Sequence, residues 1–267
     1  MAGLSSAERA GVRLTYEVTG DGPPLLLIQG LGYGRWGWEP LAAPLAEMFT
    51  VIAFDNRGAG DSDAPPGPYS TETMAADAAA VLDAAGVERA HVMGASLGGM
   101  IAQMLAIGHP DRVDRLVLGC TTPGGPDAHP LPAGTVELMR RAGELPPEEA
   151  SRRFVHNALS EDTLRDRPEV PARILRHRRA VPQDQAAWQA QAAASLGHDA
   201  GGRLAGIGAR TLVLHGTADQ VVDPRNAGLL AGRIPDVRVE LLDGLGHLFF
   251  WERPDQVAAL VGSFLRD

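Results

Sequence analysis

Six short apolar runs, separated by stretches long enough to form helices, place the strongest constraint on the fold of this chain. Each run is apolar on both faces and ends in turn residues, which is typical of strands in a parallel sheet that helices cover on both sides. The runs occupy residues 24–30, 49–58, 90–96, 115–121, 210–216 and 237–244. We therefore predict an α/β fold with a mostly parallel sheet flanked by helices.

Two further segments have clear periodicity. Residues 70–87 place Ala, Val and Leu at helical spacing and stop at Gly86, which predicts a crossover helix. Residues 12–20 alternate between apolar and polar side chains, so one face of this segment is polar. We expect it to form an antiparallel strand at the edge of the sheet.

The interval from residue 123 to residue 203 interrupts the alternation of strands and helices. It is rich in Pro, Arg and Glu, and its patterns predict three to five short helices and no strand. A chain of 267 residues, 45% of them hydrophobic, can bury one large core. We predict a core of residues 1–122 and 204–267, with 123–203 inserted as a helical lid over the carboxyl edge of the sheet, where open α/β sheets bind ligands.

The net charge of −9 limits the partners of the protein. Binding to nucleic acid or to an anionic membrane needs a basic face, so we expect neither partner and favour a neutral or weakly polar small molecule. The sequence shows no export signal and no run near the ~18 apolar residues of a membrane span. Cys120 is the only cysteine, which excludes an internal disulfide and a cysteine metal cluster. These features favour the cytoplasm, predict that Cys120 packs as a small apolar side chain, and are compatible with a homo-oligomer.

Ser96 lies in the sequence GASLG, between a predicted buried strand and residues 97–110, whose apolar spacing is helical. A sharp turn from strand to helix would lift the Ser96 hydroxyl out of the fold. Gly94 and Gly98 would let the strand and the helix approach each other closely around it. The pattern predicts a nucleophile elbow with Ser96 as the nucleophile.

A serine hydroxyl needs a histidine base oriented by a carboxylate, here in the chain order Ser, acid, His. Among eight histidines, His247 is the best candidate because it follows a strand and a turn and precedes an apolar segment; His215 is interpreted as a strand residue. The acid is Asp219 or Asp223. We choose Asp219, which directly follows a strand and a turn, because Asp223 precedes a proline and can cap the next helix.

Five segments of the chain together resemble the α/β-hydrolase superfamily: GLGYGRWGWEP (30–40), DNRGAGDSDAPPGPYS (55–70), GASLGG (94–99), LHGTADQVV (214–222) and GLGHLFFWERPDQV (244–257). More closely, the chain resembles the short-lid group of bacterial serine esterases, cofactor-free haloperoxidase-type esterases and 3-oxoadipate enol-lactonases. The resemblance implies ester or lactone hydrolysis by the triad named above. It also implies an oxyanion hole formed by the backbone N–H groups of Leu31 and Leu97. Many relatives have His-Gly where this chain has Gln29-Gly30, so Gln29 either braces the loop or contacts the substrate.

The predicted pocket is largely apolar, with Gln29, Trp36 and Phe249 as candidate lining residues. Thioesterases and carbon–carbon bond hydrolases use the same triad, and a non-catalytic small-ligand receptor on this fold is a further alternative. A dinucleotide-dependent oxidoreductase is disfavoured. Gly30 and Gly32 begin a G-x-G-x-x-G pattern, but Arg35 replaces its third glycine. The sequence predicts no cofactor, and no metal because the candidate site lacks ligand spacing such as His-x-x-x-His.

Overall fold

The protein, described here by a computed structural model of residues 3–267, is built on one eight-stranded sheet with the order β1-β2-β4-β3-β5-β6-β7-β8. The strands are β1 (Ser5–Arg9), β2 (Val12–Thr19), β3 (Pro24–Ile28), β4 (Thr50–Phe54), β5 (Ala90–Ala95), β6 (Val113–Gly119), β7 (Arg210–Gly216) and β8 (Val237–Leu242). From β4 to β8 across the sheet, all neighbouring strands are parallel. The predicted α/β fold with a mostly parallel sheet is confirmed.

The amino-terminal hairpin corrects one expectation. Strand β2 is antiparallel, as predicted, but it lies between β1 and β4 and is not the edge of the sheet. The edge is β1, which joins β2 through a two-residue turn at Ala10 (φ 51°) and Gly11 (φ 74°). Only Ala7 of β1 is buried, so this strand has no apolar pattern that sequence reasoning could detect.

Helices cover both faces of the sheet. The α-helices are α1 (Glu39–Ala46), α2 (Thr71–Ala84), α3 (Leu97–Gly108), α4 (Ala133–Arg141), α5 (Pro147–Asn157), α6 (Glu161–Asp166), α7 (Glu169–Ala180), α8 (Gln185–Leu196), α9 (Asn226–Ala231), α10 (Phe249–Glu252) and α11 (Pro254–Arg266). The predicted crossover helix corresponds to α2. It begins after Ser70, whose hydroxyl accepts a hydrogen bond from the N–H of Thr73.

The insertion between β6 and β7 contains α4 to α8. Its two ends are joined by hydrogen bonds, because Ala200 N–H donates to the Pro123 carbonyl at 2.9 Å and Gly125 N–H donates to the His198 carbonyl at 3.0 Å. The insertion therefore leaves and returns to the core at one place. We refer to residues 123–203 as the lid.

Two apolar clusters pack against opposite faces of the sheet, because alternate residues of β3 enter different clusters. One cluster contains α2 and α3. The other contains α1 and α11 and also takes in lid residues such as Val155 and Ile174, so part of the lid packs on the core. Within residues 3–267, no helix combines the length and the apolarity needed to cross a membrane.

Candidate active site

Ser96 lies between β5 and α3 in a conformation that non-glycine residues seldom adopt, with φ 56° and ψ −121°. Hydrogen bonds hold this strained turn in place. Ser96 N–H donates to the Gly119 carbonyl at 2.9 Å, and the Ser96 carbonyl accepts from Thr121 Oγ1 at 2.8 Å and from Met100 N–H at 3.1 Å. The neighbouring strand β6 therefore fixes the position of the serine.

Two glycines around Ser96 are required by close backbone contacts. A Cβ atom added to Gly94 would lie 2.1 Å from the Gly98 carbonyl oxygen, and one added to Gly98 would lie 2.0 Å from the Ile28 carbonyl oxygen. Such distances are far below van der Waals contact. No side chain fits between β5, α3 and the end of β3, which is the packing that the elbow sequence predicts.

Asp219 and His247 form a buried pair. Nδ1 of His247 lies 2.7 Å from Oδ2 of Asp219, and Oδ1 of Asp219 accepts hydrogen bonds from the N–H groups of Val221 at 2.7 Å and Val222 at 2.9 Å. A nitrogen facing a carboxylate carries the proton, so Nε2 of His247 is left as the proton acceptor. The loop after β7 thus orients the base through a carboxylate that is itself fixed by the backbone.

The charges of the pair oppose the effect of burial. Burial alone would lower the pKa of His247, but the Asp219 carboxylate and the Cys120 thiol raise it well above its ordinary value. Burial alone would raise the pKa of Asp219, but the imidazoles of His247 and His215 hold it well below its usual range. Asp219 is therefore ionised and stabilises a positive charge on His247.

His215 has a role in the site that the sequence did not reveal. Its Nε2 lies 3.0 Å from Oδ2 of Asp219 and 3.1 Å from the carbonyl oxygen of Val222. Because both neighbours are acceptors, Nε2 must carry a proton and donates to the same carboxylate oxygen that His247 contacts. A histidine four residues before the acid in the sequence is the only signal that could have suggested this contact.

Asp223, the alternative acid, lies outside this network. Its Oδ1 accepts a hydrogen bond from the Arg225 N–H at 2.9 Å, and its carboxylate pairs with the Arg225 guanidinium at 2.5 Å. The pairing with Arg225 lowers the pKa of Asp223 to about 2. Asp223 holds the turn before α9 and does not contact the imidazole of His247.

The loop after β3 runs beside the serine, since a Cβ added to Gly30 would lie 3.0 Å from the Ser96 Cβ. Gln29 braces this loop, because its Oε1 accepts from the Gly30 N–H at 3.0 Å and its carbonyl accepts from Asn56 Nδ2 at 2.9 Å. Its Nε2 is buried without a hydrogen-bond partner in the described part of the chain. The N–H groups of Leu31 and Leu97 likewise donate to no protein acceptor within residues 3–267, so both are available to an oxyanion.

A cavity of about 370 Å³ lies between the lid and the carboxyl edge of the sheet. Its wall includes Ser96 and His247 together with Gln29 and Leu31 from the loop after β3. The lid contributes Met139, Phe154, Asn157, Ala158, Arg178 and Trp188, among others. The wall is mostly apolar, and its volume suits a small molecule.

Two expected lining residues lie elsewhere. Trp36 stacks on His177 of α7, with ring centroids 5.1 Å apart and an interplanar angle of 10°, and it does not line the cavity. Phe249 is fully buried and packs edge-on against Phe250, which lines the cavity in its place. The expectation for both residues is wrong because the short helix α10 turns Phe249 into the core, while α7 covers Trp36.

Glu252 ties the lid to the histidine loop, and sequence reasoning missed it. Its buried carboxylate accepts four hydrogen bonds: from the N–H of Ser160 at 2.9 Å, the N–H of Gly246 at 3.0 Å, Oγ of Ser160 at 2.5 Å and Oγ1 of Thr163 at 2.8 Å. Gly246 directly precedes His247, and Ser160 and Thr163 begin α6. One side chain thus links the start of a lid helix to the position of the base.

Other candidate groups have structural partners. The carboxylate of Asp55 accepts from the N–H groups of Arg35 at 2.6 Å and Asp61 at 3.0 Å, so it braces the adjoining loops as expected. His198 lines the cavity, but Thr71 and Gln103 occupy both of its ring nitrogens, and burial lowers its pKa to about 4. Within residues 3–267, no group of three or more His, Cys, Asp or Glu side chains could hold a metal ion.

Cys120 departs from the purely apolar role expected for it. It is buried, but it has a positive φ of 41° and lines the cavity, and its thiol lies within hydrogen-bonding reach of His247. The sequence could not show this, because the contact depends on how β6 ends beside the histidine loop.

Comparison with known proteins identifies the family. Residues 23–254 match the family described as the alpha/beta hydrolase fold. The putative carbamate hydrolase RutD of Azorhizobium caulinodans is 33% identical over 257 residues, covering 91% of each chain, and the 2-hydroxy-6-oxo-6-phenylhexa-2,4-dienoate hydrolase of Comamonas testosteroni is 29% identical over 280 residues, covering 99% of this chain and 95% of that protein. The enol-lactonase from Burkholderia xenovorans LB400 superposes with a TM-score of 0.87 at 28% identity, covering 98% of this chain and 100% of that one. The chain therefore belongs to the α/β-hydrolase family and is a hydrolase of that family.

Proposed function

We propose that this protein is a serine hydrolase that cleaves a carboxylic ester or a lactone of a small, largely apolar molecule through an acyl-enzyme on Ser96. The observation that carries the proposal is the Asp219–His247 pair at 2.7 Å, opening on the same cavity as the strained Ser96. The similarity to the enol-lactonase supports the choice of ester and lactone substrates.

In the proposed reaction, Oγ of Ser96 attacks the carbonyl carbon while Nε2 of His247 accepts its proton. The N–H groups of Leu31 and Leu97 stabilise the oxyanion of the tetrahedral intermediate. Collapse expels the alcohol, which takes the proton from His247, and leaves the acyl group on Ser96. A water molecule then attacks the acyl-enzyme, with His247 again acting as base, and releases the acid and the free serine.

A carbon–carbon bond hydrolase is the second candidate, favoured by the similarity to the dienoate hydrolase of Comamonas testosteroni. A panel of esters, lactones, thioesters, aryl carbamates and vinylogous diketones, matched in size to the cavity, would separate these activities. The proposal predicts the highest kcat/KM for an ester or a lactone.

The direct test of the nucleophile is Ser96→Ala with a short aryl ester. The variant should lose about three or more powers of ten in kcat and keep its thermal stability, because residual activity comes only from binding and the oxyanion hole. Ser263→Ala is the matched control, since Ser263 lies exposed on α11. Near wild-type turnover by Ser96→Ala would exclude the proposed mechanism, and absence of all turnover in the wild type would favour a non-catalytic receptor.

A further inference from the structure

Arg178 on lid helix α7 lines the cavity and has no acidic partner. The neighbouring arginines of the helix are paired, Arg173 with Glu39 at 2.6 Å and Arg179 with Glu148 at 2.9 Å. Arg178 makes no ion pair within residues 3–267, and its Nε is buried without a hydrogen-bond partner. Its guanidinium instead stacks on the ring of Tyr33, 4.5 Å from the centroid.

A second free donor meets Arg178 at the same place. Trp188 on α8 also lines the cavity, and its indole N–H donates to no protein acceptor in the described part of the chain. A Cβ added to Gly32 would lie 3.3 Å from Nη2 of Arg178 and 3.4 Å from Nε1 of Trp188. Two donors from two lid helices therefore converge on one point beside the loop that follows β3.

The charge of Arg178 is not neutralised by the rest of the wall. The lining residues include no Asp and no Glu within residues 3–267, so the guanidinium is the only permanently charged group on the cavity surface. A partly buried cation without a counter-ion favours an anionic ligand, because the ligand restores the pairing that burial would otherwise penalise. The overall charge of −9 opposes this only weakly, since exposed charges beyond about 8–10 Å are screened at physiological salt.

The donor pair lies close to the serine. Gly30 contacts Ser96, and Gly32 follows two residues later, so the two places are separated by about 8 Å or less along the loop, at 3.8 Å between consecutive Cα atoms. A chain of a few carbons spans that distance. A ligand held by Arg178 and Trp188 can therefore present a carbonyl group to Ser96.

We propose that Arg178 and Trp188 form an anion subsite that binds a free carboxylate on the substrate, so that the enzyme acts on short esters or lactones that carry a second, ionised carboxyl group. The inference rests on the proposed function and names its substrate class. One planar cation and one N–H match the two oxygens of a carboxylate, and the structure offers no second cation of the kind a phosphate dianion would favour. This replaces the neutral substrate expected from net charge, because the local cavity and not the whole surface contacts the ligand.

The test compares monoethyl glutarate with ethyl pentanoate, which replaces the carboxylate by a methyl group at the same chain length. Ethanol release gives kcat/KM for both. The wild type should prefer the monoester, and Arg178→Gln should reduce that preference about 10- to 100-fold through KM while leaving the neutral ester within about threefold. Trp188→Phe, which keeps the ring and removes the N–H, should reduce it several-fold.

Arg179→Gln is the matched control, since it removes the same charge from the adjacent, exposed position of the same helix. It should leave the preference unchanged. An equal loss in Arg179→Gln, or a wild type that favours ethyl pentanoate, would overturn the subsite. Arg178→Lys, which keeps the charge without the planar fork, should lie between the wild type and Arg178→Gln if the carboxylate is held by two bonds.

Calorimetric titration of monoethyl glutarate into folded Ser96→Ala separates the subsite from the reaction. Binding that disappears in the Ser96→Ala, Arg178→Gln double variant supports the subsite even if no ester is hydrolysed. Absence of binding to Ser96→Ala together with wild-type hydrolysis of neutral esters would overturn the subsite and leave the proposed function intact.

Discussion

Replacement of Glu252 by alanine should destabilise the protein far more than replacement by glutamine. In Glu252→Ala, the buried N–H groups of Ser160 and Gly246 lose their acceptor, whereas the hydroxyls of Ser160 and Thr163 can turn to other partners. Each unsatisfied buried donor costs about 1–3 kcal/mol, so the two N–H groups predict a loss of about 2–6 kcal/mol in the free energy of unfolding. That loss is a large share of a typical domain's stability of about 5–15 kcal/mol.

Glu252→Gln keeps one oxygen for the two N–H groups and turns an amide toward the two hydroxyls, which can accept. Only the charge assistance is lost, so we expect a loss of about 1 kcal/mol. Urea unfolding followed by circular dichroism measures both values, with Glu47→Ala, at an exposed position after α1, as the control. If Glu252→Ala matched Glu47→Ala within about 0.5 kcal/mol, the proposed tie between the lid and the histidine loop would be wrong.

The remaining predictions concern the acid, the base and the elbow. Asp219→Asn should lose about 10³–10⁴-fold in kcat toward an aryl ester and Asp223→Asn less than tenfold, because only Asp219 bonds to the base; the opposite ranking would reassign the acid. The kcat/KM of a neutral ester should rise with pH and level off after one inflection above about pH 6.5, since His247 works unprotonated and its pKa is raised; a profile flat from about pH 5 to 9 with chemistry rate-limiting would exclude it as the base. Gly98→Ala should lower the midpoint of thermal unfolding and abolish activity, whereas Gly108→Ala in the same helix, with open space around it, should stabilise the fold by about 0.5–1 kcal/mol; equal behaviour of the two variants would refute the close packing described for the elbow.

The parallel part of the sheet could be predicted from the sequence because each of its strands carries a buried apolar run between turn residues. Strand β1 could not, since it pairs through its backbone and buries only Ala7. The elbow was predictable for a related reason. Contacts at 2.0–2.1 Å from Gly94 and Gly98 leave room for glycine alone, so the sequence there records the geometry directly.

The groups that support the site depend on tertiary contacts with no fixed spacing in the sequence. Glu252 reaches a lid residue 92 positions away, and Arg178 reaches the loop at Gly32. Trp36 and Phe249 were misassigned for the same reason, because an aromatic residue near a motif can face either the cavity or the core. The orientation is decided by the neighbouring helices, α7 for Trp36 and α10 for Phe249.

The central claim, that Ser96 is a nucleophile activated by His247, is tested most directly by mass spectrometry after reaction with an aryl phosphonate that modifies activated serines. The account predicts one adduct per chain, located at Ser96 by peptide mapping, with labelling slowed at least about a hundredfold in His247→Ala and abolished in Ser96→Ala. Labelling of a different residue, or a rate in folded His247→Ala equal to that of the wild type, would contradict it.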